Sequence, residues 1–119
     1  MPNTTAGILY NFSGFGKLAK DAEFVREVKL MFVKGVPKQV AQLWASIEEE
    51  NWQVVAQQAH SLKANLGNLK MDAGAALLNQ MESLAHQGDK KLLQASLMVV
   101  TETVEAVVET FKQELHSAV

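Results

Sequence analysis

The sequence predicts an all-α fold, an antiparallel up-down helical bundle, and three observations predict it. Past residue 20 nearly every apolar residue recurs with the period of an α-helix. The chain holds only two prolines, Pro2 and Pro37, and neither a hairpin turn pair nor a sustained period-two alternation occurs. The breaks between the helical stretches are short, and short connections make consecutive helices antiparallel neighbours.

The elements follow in order. Met1 to Gly16 reads as an arm ending in a short helix, with Phe12 and Phe15 expected to dock it on the body. Asp21 is the N-cap candidate of a long helix whose stripe is Phe24, Val25, Val28, Met31 and Phe32. Gly35-Val36-Pro37 is expected to kink or break that helix, because proline lacks the amide hydrogen and its ring crowds the preceding turn. Val40, Leu43, Trp44 and Ile47 resume the stripe beyond it. Glu48-Glu49-Glu50 reads as a solvated helix end, and Asn51 as the next cap.

The next helix is expected from about Trp52 to Lys70, with Val55, Ala59, Leu62, Leu66 and Leu69 on one buried face. Another runs from about Asp72, its cap, to His86, on a stripe of Ala73, Leu77, Met81 and Leu84. Gln87-Gly88-Asp89 supplies a stop and a new cap. The last helix spans about Lys90 to His116 on Leu93, Leu97, Val100, Val104, Val107, Phe111 and Leu115. Its valines and threonines favour strand by propensity, but sustained three-four spacing outweighs that weak preference.

Composition narrows the function. A chain of 119 residues suits one domain, and the reading is a single domain over 1–119, with arm and short helix to about 20 and bundle from 21 to 116. With no cysteine, disulfide, thiol-nucleophile and zinc-thiolate chemistry are excluded. A formal net charge of −2 without a basic cluster argues against nucleic acid. No apolar run approaches the roughly 18 residues of a membrane span, so no membrane insertion is expected. No secretion signal opens the chain, so cytoplasm is the expected location. His60, His86 and His116 share no ligand spacing, so no metal site is expected.

One helix face is unusual. With the Val55–Leu69 stripe as origin, His60 falls about 140° away, on the wet side. Ala56, Gln57, Lys63, Ala64 and Gly67 surround it. Solvent faces ordinarily carry long polar side chains, and Gly67 inside a helix costs about 1 kcal/mol against alanine. A cleared patch lets another protein approach the imidazole, and Lys63, one turn along, can reach the same spot. A lone histidine on a helix is otherwise an ordinary surface residue, and small residues also serve tight helix packing. Their distance from the leucine stripe argues against packing within this bundle and leaves a dimer open.

In an antiparallel hairpin turning near Met71, residues equally far from the turn face each other. His60 and Glu82 each stand eleven positions from Met71. Glu82 can therefore accept a hydrogen bond from one ring nitrogen, fixing the tautomer and aiming the other nitrogen outward. The alternative on geometry alone is a solvated glutamate.

The segment Ala59-His60-Ser61-Leu62-Lys63-Ala64-Asn65-Leu66-Gly67-Asn68-Leu69 resembles the signature of histidine-containing phosphotransfer (HPt) domains: alanine, histidine, threonine or serine, leucine, lysine, glycine, then small residues. Glu23-Phe24-Val25, Pro37 after an apolar run, Asn51-Trp52 and Leu78 to Glu82 also look like family features, so about residues 20 to 115 are covered. The resemblance implies a four-helix bundle with a short N-terminal lid helix. It implies phosphorylation of His60, usually at Nε2, with Lys63 neutralising phosphoryl oxygens and Glu82 in the place of the carboxylate or amide that holds Nδ1. It implies response-regulator receiver domains and a hybrid or sensor histidine kinase as partners. Mg²⁺ is expected on the receiver, and no cofactor on this chain. The docking face is expected to include Ala56, Gln57, Ala64 and Gly67. Ala64 departs from the usual glycine, and Lys70 and Met71 stand where glycine and alanine are common, which bears on partner choice.

A sensor kinase would place an acidic residue after the histidine and a proline soon afterwards, with nucleotide-binding boxes later in the chain. Here Ser61 follows His60, and nothing resembles a nucleotide site. A receiver would need alternating strands and helices. The remaining alternative is a helical adaptor that binds proteins without accepting phosphate. The Met1 start favours a free-standing shuttle over a piece of a hybrid sensor.

Overall fold

A computed structural model describes residues 9–117, the side chain of 117 excepted. Among the described residues regular structure is entirely helical. A 3-10 helix, Ser13–Lys20, precedes four α-helices: α1 (Ala22–Glu48), α2 (Trp52–Asn68), α3 (Asp72–Gln87) and α4 (Lys90–Ser117). Helix α2 packs on α1 and α3, α4 packs on α1 and α3, and the 3-10 helix lies on α1.

Asp21 caps α1 as expected, its carboxylate accepting from the Phe24 amide at 3.0 Å. The expected disruption at Gly35-Val36-Pro37 needs correction, because α1 runs unbroken through Pro37. Proline removes one backbone bond, to the carbonyl of Val33. The buried Val36 and Val40 on either side, with Phe32, Leu43 and Ile47, hold both halves against the core, and Pro37 itself is exposed. The early stripe is weaker than expected. Phe24, Val25 and Val28 are half-buried, and Met31 is 71% exposed. Here the 3-10 helix lies on α1, with Phe15 and Phe24 rings 5.1 Å apart.

The arm docks through aromatic side chains, as expected. Phe12 and Phe15 pack on the core, the Phe12 ring lies 6.3 Å from that of Phe111, and the Asn11 amide donates to the Leu69 carbonyl at 2.9 Å. The short helix, Ser13–Lys20, ends at the expected boundary near residue 20, and residues 1–8 of the arm lie outside the described residues.

Val55, Ala59, Leu62 and Leu66 form the buried face of α2, and Leu69 joins the core just beyond its end. Helix α2 stops at Asn68, two residues short of the expected end. Lys70 adopts a left-handed φ of 56°, and the Met71 amide returns to the Leu66 carbonyl at 3.0 Å. Asn51 stands at the cap of α2 but makes no side-chain cap bond. Met71, not Asp72, holds the cap position of α3. Asp72 lies inside the first turn, where its charge still favours the helix dipole.

The buried face of α3 is also corrected. It consists of Gly74, Leu78, Met81 and Ala85, while Ala73 is exposed and Leu77 and Leu84 are half-buried. Helix α3 presents Gly74 to α2. A methyl group on Gly74 would stand 2.9 Å from Leu66 Cδ1, so close packing selects glycine where hydrophobicity selects the neighbouring leucines.

Gly88 takes the expected left-handed stop, φ 67°, and Asp89 caps α4 by accepting from the Leu92 amide at 3.2 Å. Leu93, Leu97, Val100, Val104, Val107 and Phe111 are buried as expected, and Leu115 is half-buried. Thr101 and Thr110 bond back to the carbonyls of Leu97 and Ala106, at 2.6 and 3.1 Å. Their hydroxyls are thereby satisfied within a helix that propensity alone disfavours.

Candidate functional site

The site lies across the α2–α3 seam, and helical spacing builds it. His60 and Lys63 stand three apart on α2, and Asn79 and Glu82 three apart on α3. Residues at that spacing share a helix face. The core stripe of α2 is turned inward, so the His60 side chain remains 68% exposed.

Glu82 joins the two helices. Its Oε1 lies 3.0 Å from His60 Nδ1, and its Oε2 accepts from Lys63 Nζ at 2.6 Å. Lys63 Nζ also donates to Asn79 Oδ1 at 3.1 Å. The Lys63 and Glu82 side chains are only 27% and 25% exposed, so the pair is partly withdrawn from water. The hydrogen bond from Lys63 holds the Glu82 carboxyl below the ordinary carboxylate range. Desolvation opposes this, and the His60 hydrogen bond and both neighbouring charges add to it. An ionised carboxylate can only accept. Nδ1 therefore carries the proton in the Glu82 bond, and a ring with that proton alone presents its lone pair at Nε2.

The four residues expected to clear the surface divide. Gln57 and Ala64 are exposed. Gly67 is half-buried, yet a methyl group added there meets nothing within 4 Å. Ala56 needs correction, since it is half-buried against the core rather than on the open face. At about 40° from His60 on the opposite side to Gln57, it turns toward the helix neighbours. Gln57 and Ser61 line a polar cleft of about 180 Å³ with Gln39, Gln42 and Gln58.

Sequence reasoning missed Asn79. Its position three before Glu82 was available as a signal, but only the observed reach of Lys63 gives that spacing meaning. His86 and His116 stand exposed at the ends of α3 and α4, apart from the site. No group of three His, Asp or Glu side chains among the described residues is arranged to hold a metal, and no helix among them is long and apolar enough to cross a membrane.

No curated protein and no solved structure matches the chain. The protein-family model for the Hpt domain matches residues 27–116, a span that includes the whole His60–Lys63–Asn79–Glu82 cluster. Hpt domains serve histidine phosphotransfer in two-component phosphorelays, as phosphoryl carriers that meet receiver domains and kinases. An exposed imidazole with its tautomer set by a carboxylate suits that work, and the chain belongs to the Hpt domain family.

Proposed function

We propose that this chain accepts a phosphoryl group on Nε2 of His60 from the aspartyl phosphate of a response-regulator receiver domain and passes it to another receiver. A hybrid or sensor histidine kinase stands upstream. The observation that carries the reading is the 3.0 Å contact between His60 Nδ1 and Glu82 Oε1 on a ring that is otherwise open to solvent.

In the transfer, the Nε2 lone pair attacks phosphorus in line, and the bond to the aspartyl oxygen breaks with its electron pair leaving on the carboxylate. Positioning and charge neutralisation dominate such a loose transition state. The Nδ1 proton stays in place, so the phosphorylated ring is an imidazolium. The Glu82 carboxylate stabilises that cation, and the same cation is a good leaving group when the next receiver attacks. Lys63 supplies positive charge to the phosphoryl oxygens. The receiver brings Mg²⁺, and this chain needs no cofactor and turns nothing over by itself.

The architecture that serves this reading is an antiparallel up-down four-helix bundle, α1 to α4, with the 3-10 helix as its lid and residues 1–119 as one domain. Gln57, Ala64 and Gly67 form the docking face beside His60, and the cytoplasm is the compartment where receivers act. Incubation with a phosphorylated receiver, followed by mapping of the acid-labile label, tests the reading. Label on His60 supports it. A wild-type chain that binds receivers but takes no label is instead an adaptor.

A further inference from the structure

Lys63 has three N–H donors, and two of them are taken on α3. Glu82 Oε2 accepts at 2.6 Å and Asn79 Oδ1 at 3.1 Å. The two acceptors play different parts. Glu82 attracts the ammonium by charge, whereas Asn79 adds direction without charge. Asn79 is exposed, so no core packing depends on it. The four side chains make a continuous ladder, His60 to Glu82 to Lys63 to Asn79, and Asn79 is its far end from the ring.

We propose that Asn79 is a positioning residue that holds the Lys63 ammonium on α3 while His60 is unmodified, and so sets how readily Lys63 turns to the phosphoryl oxygens. This rests on the phosphotransfer reading above. A phosphoryl group on Nε2 lies on the side of the ring away from Glu82, since Nδ1 is the atom that faces the carboxylate. The free third N–H does not remove the competition, because both acceptors of Lys63 stand on α3 with Asn79 at the end away from the ring, and an ammonium that shifts toward Nε2 draws away from Asn79. The longer bond, to a neutral amide, is the one to yield, and the charge-assisted bond to Glu82 remains as a pivot. The Asn79 bond therefore stabilises the unmodified domain alone and opposes phosphorylation. The covalent step is unchanged: with phosphoramidate as donor, its N–P bond breaks, the Nε2–P bond forms, ammonia leaves, and only the hydrogen-bond partner of Lys63 changes.

The test measures the rate of His60 phosphorylation by phosphoramidate, read by intact mass on the full chain. N79A is expected to be faster by about two- to tenfold, the worth of one exposed hydrogen bond. N79D adds a second carboxylate that grips Lys63, and is expected to be slower than wild type by a similar factor. In a K63A background N79A is expected to change nothing. A merely structural role would not reverse sign between the two variants or vanish with Lys63. N79A at or below the wild-type rate, or the same N79A effect in the K63A background, overturns the proposal while leaving His60 phosphorylation standing. A wild-type chain that a phosphorylated receiver and phosphoramidate alike leave unlabelled overturns both.

Discussion

His60 and Glu82 stand 22 positions apart in the chain, on neighbouring helices, with Nδ1 and Oε1 3.0 Å apart. That contact is asymmetric in consequence. It occupies one ring nitrogen, leaves the other for chemistry, and ties the charge of Lys63 to the same carboxylate.

Replacing His60 with glutamine removes the nucleophile and keeps a polar side chain on an exposed position. Phosphorylation by a receiver is expected to be lost altogether. Stability should stay within about 0.5 kcal/mol of wild type, as for surface substitutions away from special features. Label mapping and urea denaturation check the two halves, and label retained on the variant would remove His60 from the reaction.

Lys63→Ala takes away the cation. Transfer from a receiver is expected to slow by about tenfold, less than the loss of a donor in a water-excluded site, because the His60 ring that carries the phosphoryl group is open to solvent. Single-turnover transfer measures it. An unchanged rate would take Lys63 out of the phosphoryl site and leave it as a partner of Glu82 only.

The carboxyl of Glu82 is held below the ordinary 4.5, first by Lys63. A group whose folded value lies below its unfolded value stabilises the fold above the unfolded value and loses that contribution as pH falls through the folded one. The stability gap between wild type and E82Q is therefore expected to be present at neutral pH and to close as the pH falls below about 4.5. Urea denaturation across that range reads the gap. A gap of the same size in acid would mean that the carboxylate charge contributes nothing to the fold.

Gly67 has free space where a side chain would begin. Gly67→Ala is expected to stabilise the domain by about 0.5–1 kcal/mol through helix propensity. A larger change at the neighbouring exposed position, Ala64→Tyr, should slow transfer from a receiver and leave phosphorylation by phosphoramidate unchanged, because only the protein donor needs a clear approach. Parallel assays with the two donors separate docking from chemistry, and equal slowing with both would count against a docking role for this face.

Much of the site is legible in the amino-acid sequence. Counting outward from the turn at Met71 pairs His60 with Glu82, because an antiparallel hairpin with a short turn leaves little freedom of register. The inward Val55–Leu66 stripe likewise leaves His60 outside by rotation alone. The same logic failed on α3. Leu77 and Leu84 advertise a buried face, yet the buried face runs through Gly74 and Ala85, and at Gly74 the closeness of Leu66 on α2 rewards a small residue that carries no hydrophobic signal. Asn79 was missed for a related reason, as an amide on a helix surface gains meaning only from the side chain that reaches it.

Sequence alone determined the helical period, the caps at Asp21 and Asp89, the stop at Gly88 and the outward placement of His60. These depend on backbone chemistry and on rotation about a single helix axis. The tertiary structure decided how α1 passes through Pro37 unbroken, which face of α3 meets α2, and that Lys63 turns toward Glu82 and Asn79. Each of these is a balance between a local preference and the packing or charge of a neighbouring helix, and that neighbour is brought into place only by the fold.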